Sequence, residues 1–507
     1  MEPKGVRRVT RYLKSISARE PVKQTLLSVY FDTPDLAFRR GRLSLCVRRF
    51  DRRYTQTISH RTQATGLLDS KEWRRRIRGP HPDLAAAKRT ALEPLLNPQS
   101  RDAVRPMFEM RVRRTAYRAE WGGLQVAAVL DQGVMNAGKR RAPVADLDLK
   151  LLHGDPGRLF GLAKALGEVA PVRLKARSDA ERGYALVRND VNAVETAANV
   201  ELSRSLSTAE AFQVIARGCL RQLLVNEVAM LSGNGEALHQ MRIALRRLRA
   251  AMSLFSGIVS DRHSQRLKAE LRWIAAALGP ARDIDVFLIE VLIPLRHQHG
   301  KEPGVTALCR EFEGRRARAH EEAASAVRSR RFRLLTLDTL GWIEAGPWAM
   351  SQDELVRLRR EQSIALHAAE ELSRRRRQLR RRGKTLQQLS APERHRLRIR
   401  AKKLRYATEF FAELFTQGKR AKRCKAALSA LRDLQGTPGA LNDIATRESL
   451  TSHIATAKRS ASRAASGAKR AFAAGMIFGA EEADIAQLLD SAERAYTRFL
   501  KVKPFVK

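Results

Sequence analysis

Aromatic residues are scarce in this chain, at 6% of its 507 positions. Proteins that grip single-stranded nucleic acid use aromatic platforms on which bases stack, so that class is disfavoured. Cysteine is scarcer still. Cys46, Cys219, Cys309 and Cys424 stand far apart with no CxxC pair, which excludes a cysteine metal site and a disulfide framework and fits a reducing cytosol. The chain has no run of apolar residues long enough to span a bilayer, and its opening, MEPKGVRRVTRYLKS, lacks an apolar signal core. These absences point to a cytoplasmic protein with no membrane span. Acidic residues are outnumbered, 53 Asp+Glu against 96 Lys+Arg, for a formal net charge of +43. A field of that sign draws polyanions: nucleic acid, polyphosphate or an anionic membrane surface.

Against these absences stands a repeat. The run HQMRIALRRLRAAMSLF, His239 to Phe255, places His239, Arg242, Arg246 and Arg249 on one helical face, within about 80° of arc at roughly 100° per residue. Met241, Leu245, Leu248, Met252 and Phe255 fill an apolar arc. HRLRIRAKKLRYATEFF, His395 to Phe411, repeats the pattern 156 residues on (395 − 239), with His395, Arg398, Lys402 and Arg405 on the polar face and Ile399, Leu404 and Phe411 on the apolar one. Related acidic motifs follow both copies: LGPARDIDVF with Arg282, Asp283 and Asp285, and PGALNDIAT with Asn442 and Asp443. A repeat of this length is a duplicated supersecondary unit. Two facing helices would line one groove with cations from both halves.

At this length the chain holds two to four domains. Residues 1–187 alternate as short strands, near Leu43–Arg49, Thr55–Ser59, Met107–Arg113, Leu124–Asp131 and Val144–Leu151. Turns are expected at Gly122-Gly123, Asp131-Gln132-Gly133 and Asn136-Ala137-Gly138, and helices near Asp83–Leu96 and Arg158–Val169. The pattern is α+β, an antiparallel β-barrel with helices outside. Residues 188–205 read as a linker. From 206 to 503 the periodicity is helical, split into bundles at 206–345 and 350–503, with capping boxes at Ser207-x-x-Glu210 and Ser351-x-x-Glu354.

The string YFDTPDLAFRRGRLSLCVRR, Tyr30 to Arg49, resembles the opening of a CYTH domain, the triphosphate tunnel metalloenzyme family. FEMRVRR at Phe108–Arg114, LDQG at Leu130–Gly133, DLDL at Asp146–Leu149 and RSDAERGY at Arg177–Tyr184 extend the likeness. The resemblance implies a triphosphate tunnel in which Arg and Lys bind substrate and paired acids hold Mg or Mn for hydrolysis. Arg48, Arg111 and Arg113 would then bind triphosphate, and Asp131, Asp146 and Asp148 would hold the metal; Glu72 also survives. The family pattern departs at Cys46, Ser59, Val134, Lys150 and Asp179. Its first strand, Glu-x-Glu-x-Lys, is met only by Glu2-Pro3-Lys4, so the strand is absent or the start codon has been placed too late. The tunnel is expected to be degenerate.

The paired motifs around His239 and His395 closely resemble the two halves of a CHAD domain, a helical family. That resemblance implies two similar bundles about a pseudo-two-fold axis, a basic channel between them, inorganic polyphosphate as ligand and a place at polyphosphate granules. The cations required lie at His239, Arg242, Arg246, Arg249, His395, Arg398, Lys402, Lys403 and Arg405, with Tyr406 as a hydroxyl donor. Either histidine reads equally as a structural group or as a donor to phosphate. Arg374–Lys384 reads as a solvated helix end or a docking site. Asp283, Asp285 and Asp443 orient cations rather than catalyse. A polyphosphate binder is the leading expectation. An active triphosphatase anchored by its CHAD half and a nucleic-acid binder are the rivals.

Overall fold

The computed structural model describes residues 3–61, 71–299, 302–382, 389–435 and 490–505. In the first half, β1 (Val22–Asp32), β2 (Leu43–Phe50), β3 (Arg53–His60), β4 (Lys71–Ile77), β5 (Arg105–Trp121), β6 (Leu124–Ala137) and β7 (Arg140–His153) form one antiparallel sheet. Its order is β4-β3-β2-β1-β5-β6-β7. Among the described residues β4 and β7 stand at opposite edges and do not pair, so the expected barrel is an open sheet. Gly122 and Gly123 take positive φ in the β5–β6 hairpin and Gly138 in the next, the left-handed geometry that tight hairpins require. Asp131-Gln132-Gly133 is not a turn; it runs through β6. There a Cβ on Gly133 would lie 2.0 Å from the Arg111 carbonyl oxygen.

One face of the sheet is covered by α1 (Pro3–Ser15) and α2 (Pro156–Val169), which press Val9, Leu13, Leu162 and Leu166 onto Tyr117, Val126 and Leu130. The stretch beginning at Pro3, where the family's opening strand was sought, is therefore helical. The other face receives α3 (Asp179–Arg188), started by a Ser178–Glu181 capping box and packing Tyr184 and Leu186 on Tyr30, Phe108 and Met110. Gly183 sets that approach, because a Cβ there would sit 1.9 Å from the Phe108 ring. The expected helix over Asp83–Leu96 is two short 3-10 turns, Ala85–Ala87 and Glu93–Leu95. Pro94 and the positive φ of Arg89 prevent a continuous helix.

The second half is helical: α4 (Thr208–Val225), α5 (Gly235–Leu254), α6 (Arg262–Ala277), α7 (Gly279–Phe287), α8 (Pro303–Arg328), α9 (Arg330–Ala345), α10 (Ile364–Arg382) and α11 (Ala391–Phe410). The duplication is visible in the element boundaries. α10 starts 156 residues after α4 (364 − 208), and α11 starts and ends 156 residues after α5 (391 − 235, 410 − 254). The 3-10 turn Ala412–Phe415 answers Ser256–Val259, and a helix over 418–435 answers α6. The two units meet through a reciprocal pair of backbone hydrogen bonds, Thr208 N–H to Gln362 O (2.8 Å) and Ile364 N–H to Leu206 O (3.0 Å). Phe255 and Phe411, equivalent residues just past α5 and α11, pack edge to face at 6.1 Å, and the His367 ring stacks on Phe255 at 4.9 Å. One apolar core runs through both units.

Several local expectations change. Ser207 does form its capping box, but α4 ends at Val225 and a separate turn of helix, Glu227–Leu231, follows. The helix Glu354–Glu361 is capped by Asp353, not Ser351. Residues 189–205 have no helix or strand but are firmly held. Val200 and Leu202 are buried, and Glu195 accepts hydrogen bonds from Arg177 (3.0 Å) and Arg221 (2.9 Å). The Ala-rich stretch Ser460–Ala474, whose charges are all Lys and Arg and which sequence reads as an exposed helix face, lies outside the described residues, as does the motif with Asn442 and Asp443. The junction of the two units gives a direct prediction. Phe411→Ala should destabilise the helical half by about 3–5 kcal/mol, read as a fall in the guanidinium unfolding midpoint followed by helical circular dichroism.

Candidate functional site

α5 begins at an Asn234 cap whose side chain accepts from the N–H groups of Glu236 and Ala237. Its apolar arc, Met241, Leu245, Leu248 and Met252, is buried, and this fixes the rotation that turns His239, Arg242, Arg246 and Arg249 toward α6 and α7. Arg242 donates to the Ala275 carbonyl (3.4 Å) and lies 3.6 Å from Asp283. The buried N–H of Arg242, the N–H of Arg246 and Nδ1 of His239 meet no protein partner. Buried donors without acceptors are costly, and here they gather in one place. Burial, then the Arg282 guanidinium, with help from Arg246 and Arg242, pushes the His239 imidazole down to about 4 against the pull of Glu236. Burial and the neighbouring Arg246 and Arg282 also lower Arg242, against Asp283.

α11 repeats the helix but not every contact. Leu397, Leu404 and Phe411 are buried, whereas Ile399, expected on the apolar arc, is 40% exposed. Lys403 is exposed. Its ammonium is pushed below its ordinary range by burial, then by Arg375, Arg400, Arg249 and Arg374. Arg249 is lowered in turn by burial and Arg272. The fields of cations from both repeats therefore overlap, Arg249 of α5 acting on Lys403 of α11. Arg398 and Lys402 lie on the same helix, half-buried. The side chain of His395 lies outside the described residues.

Two expected ligand groups are otherwise engaged. Arg405, the counterpart of Arg249, donates to Glu409 (2.5 Å) and Gln435 (2.8 Å). Glu409 replaces the Ser253 of the first copy and also pairs with Arg247 (3.4 Å). Tyr406 is 5% exposed and belongs to the core, with the Arg405 guanidinium over its ring. Arg375, in the basic run, is buried, pairs with Glu371 (3.0 Å) and donates to the Ser253 carbonyl (3.1 Å). Asp285 is buried and anchors α8 through Arg316 (2.6 Å) and His320 (3.0 Å). Sequence reading missed Arg272 and Arg400. A signal existed for Arg400, which stands where the first copy has the buried Ala244.

On the sheet, cross-strand pairing puts Arg48, Glu72, Arg114, Asp131, Asp146 and Asp148 on one face. Arg113 and Arg111 stand one and three residues before Arg114, odd offsets that turn them to the opposite face; the Arg111 side chain is 61% exposed. The inward arginine of β5 is Arg114. It makes a two-point contact with buried Asp131 (2.8 and 2.7 Å). Asp146 is held by Arg182 and by Lys175 (3.2 Å), and both cations also reach Asp179, at 2.8 and 2.9 Å. Asp148 is raised by desolvation against the pull of Lys175, and by Asp179, Asp131 and Asp146. Arg48 keeps its charge despite burial, beside Cys46, Tyr30 and Glu72. These donors do not fit Mg or Mn. A hard cation wants free carboxylate oxygens, and protein cations occupy those of Asp131 and Asp146.

With the geometry in place, comparison with known families is decisive. Residues 4–184 match the CYTH domain and residues 214–452 the CHAD domain. The chain is a CYTH–CHAD protein. The chain is 24% identical over 177 residues to an inorganic triphosphatase of Haemophilus influenzae, a match covering 35% of this chain and 50% of that one, so the chain spans about half the length of that curated relative. Among solved structures, the CHAD domain of the plant Ricinus communis is 28% identical, with coverage of 60% of this chain and 96% of that one and a TM-score of 0.48. HpAC1 from Hippeastrum, for which a dominant triphosphatase activity is recorded, is 12% identical, with coverage of 36% and 91% and a TM-score of 0.28.

Two predictions come from these charges. His239 is neutral in the folded protein above about pH 4 but takes a proton near 6.5 when unfolded. Between those values the unfolded chain binds more protons, so stability falls as pH drops from 6.5 to 4. His239→Gln should flatten that slope in unfolding midpoints measured across the window. Replacing Arg114 with Met strands a buried carboxylate and should cost about 3–5 kcal/mol. The loss would appear in thermal and denaturant unfolding of the sheet half.

Proposed function

We propose that this CYTH–CHAD protein binds inorganic polyphosphate in the cleft between α5 and α11. Its CYTH half is then a degenerate, triphosphatase-like domain, and a cytoplasmic place at polyphosphate granules follows from the binding. The observation that carries this reading is the meeting of cations from both repeats around Arg249 and Lys403, with the unpartnered donors of His239, Arg242 and Arg246 alongside. Polyphosphate is a line of negative charge with no bases to stack and no edges to read. A rigid row of guanidiniums and ammoniums suits it. Nucleic acid is less well served, because Tyr406, the aromatic beside Arg405, is buried. A ligand oxygen near Arg242, Arg246 and Arg282 would also offset the share that those cations, after burial, have in keeping a proton off His239.

The rival reading is metal-dependent triphosphate hydrolysis, favoured by the activity of the Haemophilus influenzae relative. The ion pairs on Asp131 and Asp146 oppose it. In titrations of the full chain with long-chain polyphosphate at several salt concentrations, Arg246→Glu with Lys403→Glu should weaken binding by at least roughly tenfold per reversed charge. The salt dependence should become shallower, with helical circular dichroism unchanged. Unaltered affinity would refute the cleft. Phosphate release from tripolyphosphate with Mg or Mn, abolished by Asp148→Asn, would favour the hydrolase.

A further inference from the structure

The two halves meet along α2 and α9, and between them lies a cleft of about 410 Å³. That is within the size range of small-molecule sites, which favour domain junctions. Its walls are apolar: Trp121 at the β5–β6 hairpin, Phe160 on α2 and Trp342 on α9. The backbones come close because glycines stand at the contacts. A Cβ on Gly161 would lie 3.0 Å from Trp121, and one on Gly341 would lie 2.9 Å from Phe160. The indole N–H of Trp342 is buried without an acceptor in a residue only 1% exposed.

The polar groups gather on one side. Arg158 donates to the Gly122 carbonyl with one nitrogen (2.9 Å), and its side chain is otherwise on the surface. Asp338 is shared by Lys164 and His263, the latter at 2.8 Å. Asp338 thus answers Lys164 and the imidazole, and the Asp155 carboxylate accepts from the Gly157 N–H (2.8 Å), which leaves the exposed Arg158 guanidinium with a carbonyl as its partner. An apolar slot with cationic groups at its rim suits a ring that carries an acidic group.

We propose that this cleft binds a small aromatic acid, its ring against Trp121 and Phe160 and its acidic group at Arg158. The site is separate from the α5–α11 cleft. A phosphate or a carboxylate would satisfy the rim, so the full-length protein should be titrated with adenosine monophosphate and, separately, indole-3-acetate. Adenosine and inorganic phosphate serve as half-ligands. Binding is read by calorimetry, and for the nucleotide also by quenching of tryptophan fluorescence. At least one ring-plus-acid probe should bind one to one, tenfold or more tighter than either half-ligand. Arg158→Glu and Trp121→Leu should each weaken it at least tenfold with the thermal midpoint retained, while Arg246→Glu leaves it unchanged. The proposal falls if neither probe binds more tightly than the half-ligands, if Arg158→Glu binds as well as the parent, or if binding is lost on Arg246→Glu.

Discussion

The helical half depends on how its two copies are joined. Two backbone hydrogen bonds, each the counterpart of the other, tie the chain before α4 to the chain before α10. The rings of Phe255 and Phe411 close the contact at the ends of α5 and α11. Buried backbone groups must be paired, so this joint leaves little freedom of register. Once it is set, the apolar arcs dictate how α5 and α11 rotate, and the cationic faces are forced into proximity. Gathering Arg249, Lys403, Arg272 and Arg400 is electrostatically unfavourable, and the shared core must bear that cost. Crowding of this kind is what a polyanion would relieve.

The copies have diverged where it matters for charge. A serine in the first copy, Ser253, is a glutamate in the second, Glu409. That one carboxylate engages Arg405 of its own helix and Arg247 of the other. The first copy keeps Arg249 available and the second does not keep its equivalent. The two copies, alike in their helix boundaries, are therefore unlike in their cations.

Much of this was legible from sequence. The 156-residue offset between His239 and His395 reappears in helix boundaries, because the same apolar spacing produces the same helix twice. Strands β2, β3, β5, β6 and β7 followed from alternation. What failed did so for physical reasons. The sequence points to Arg111 and Arg113 rather than Arg114 because a strand's face depends on a single step of register, and only the pairing with Asp131 reveals it. Tyr406 and Arg405 looked like groove residues because a helical wheel shows direction but not which partner waits there. The Asp131-Gln132-Gly133 glycine reads as a turn when it in fact relieves a close strand crossing. Alternating strands and hairpin turns led to an expected barrel, but local pattern does not say whether edge strands meet, and among the described residues β4 and β7 do not pair. The cleft between α2 and α9 had no signal at all, since those two helices are separated by 161 positions of sequence (330 − 169).

Arg221 carries one more implication. It is 7% exposed, and its guanidinium is held by Glu181 of α3 (2.6 Å) and Glu195 of the connecting strap (2.9 Å). Both carboxylates precede the boundary that periodicity suggests near residue 206. Severing the chain there would leave the helical fragment with an interior cation and nothing to neutralise it. The two halves are thus not beads on a string: the seam runs through a shared ionic knot, and any excised CHAD unit would need to carry the strap and α3 with it.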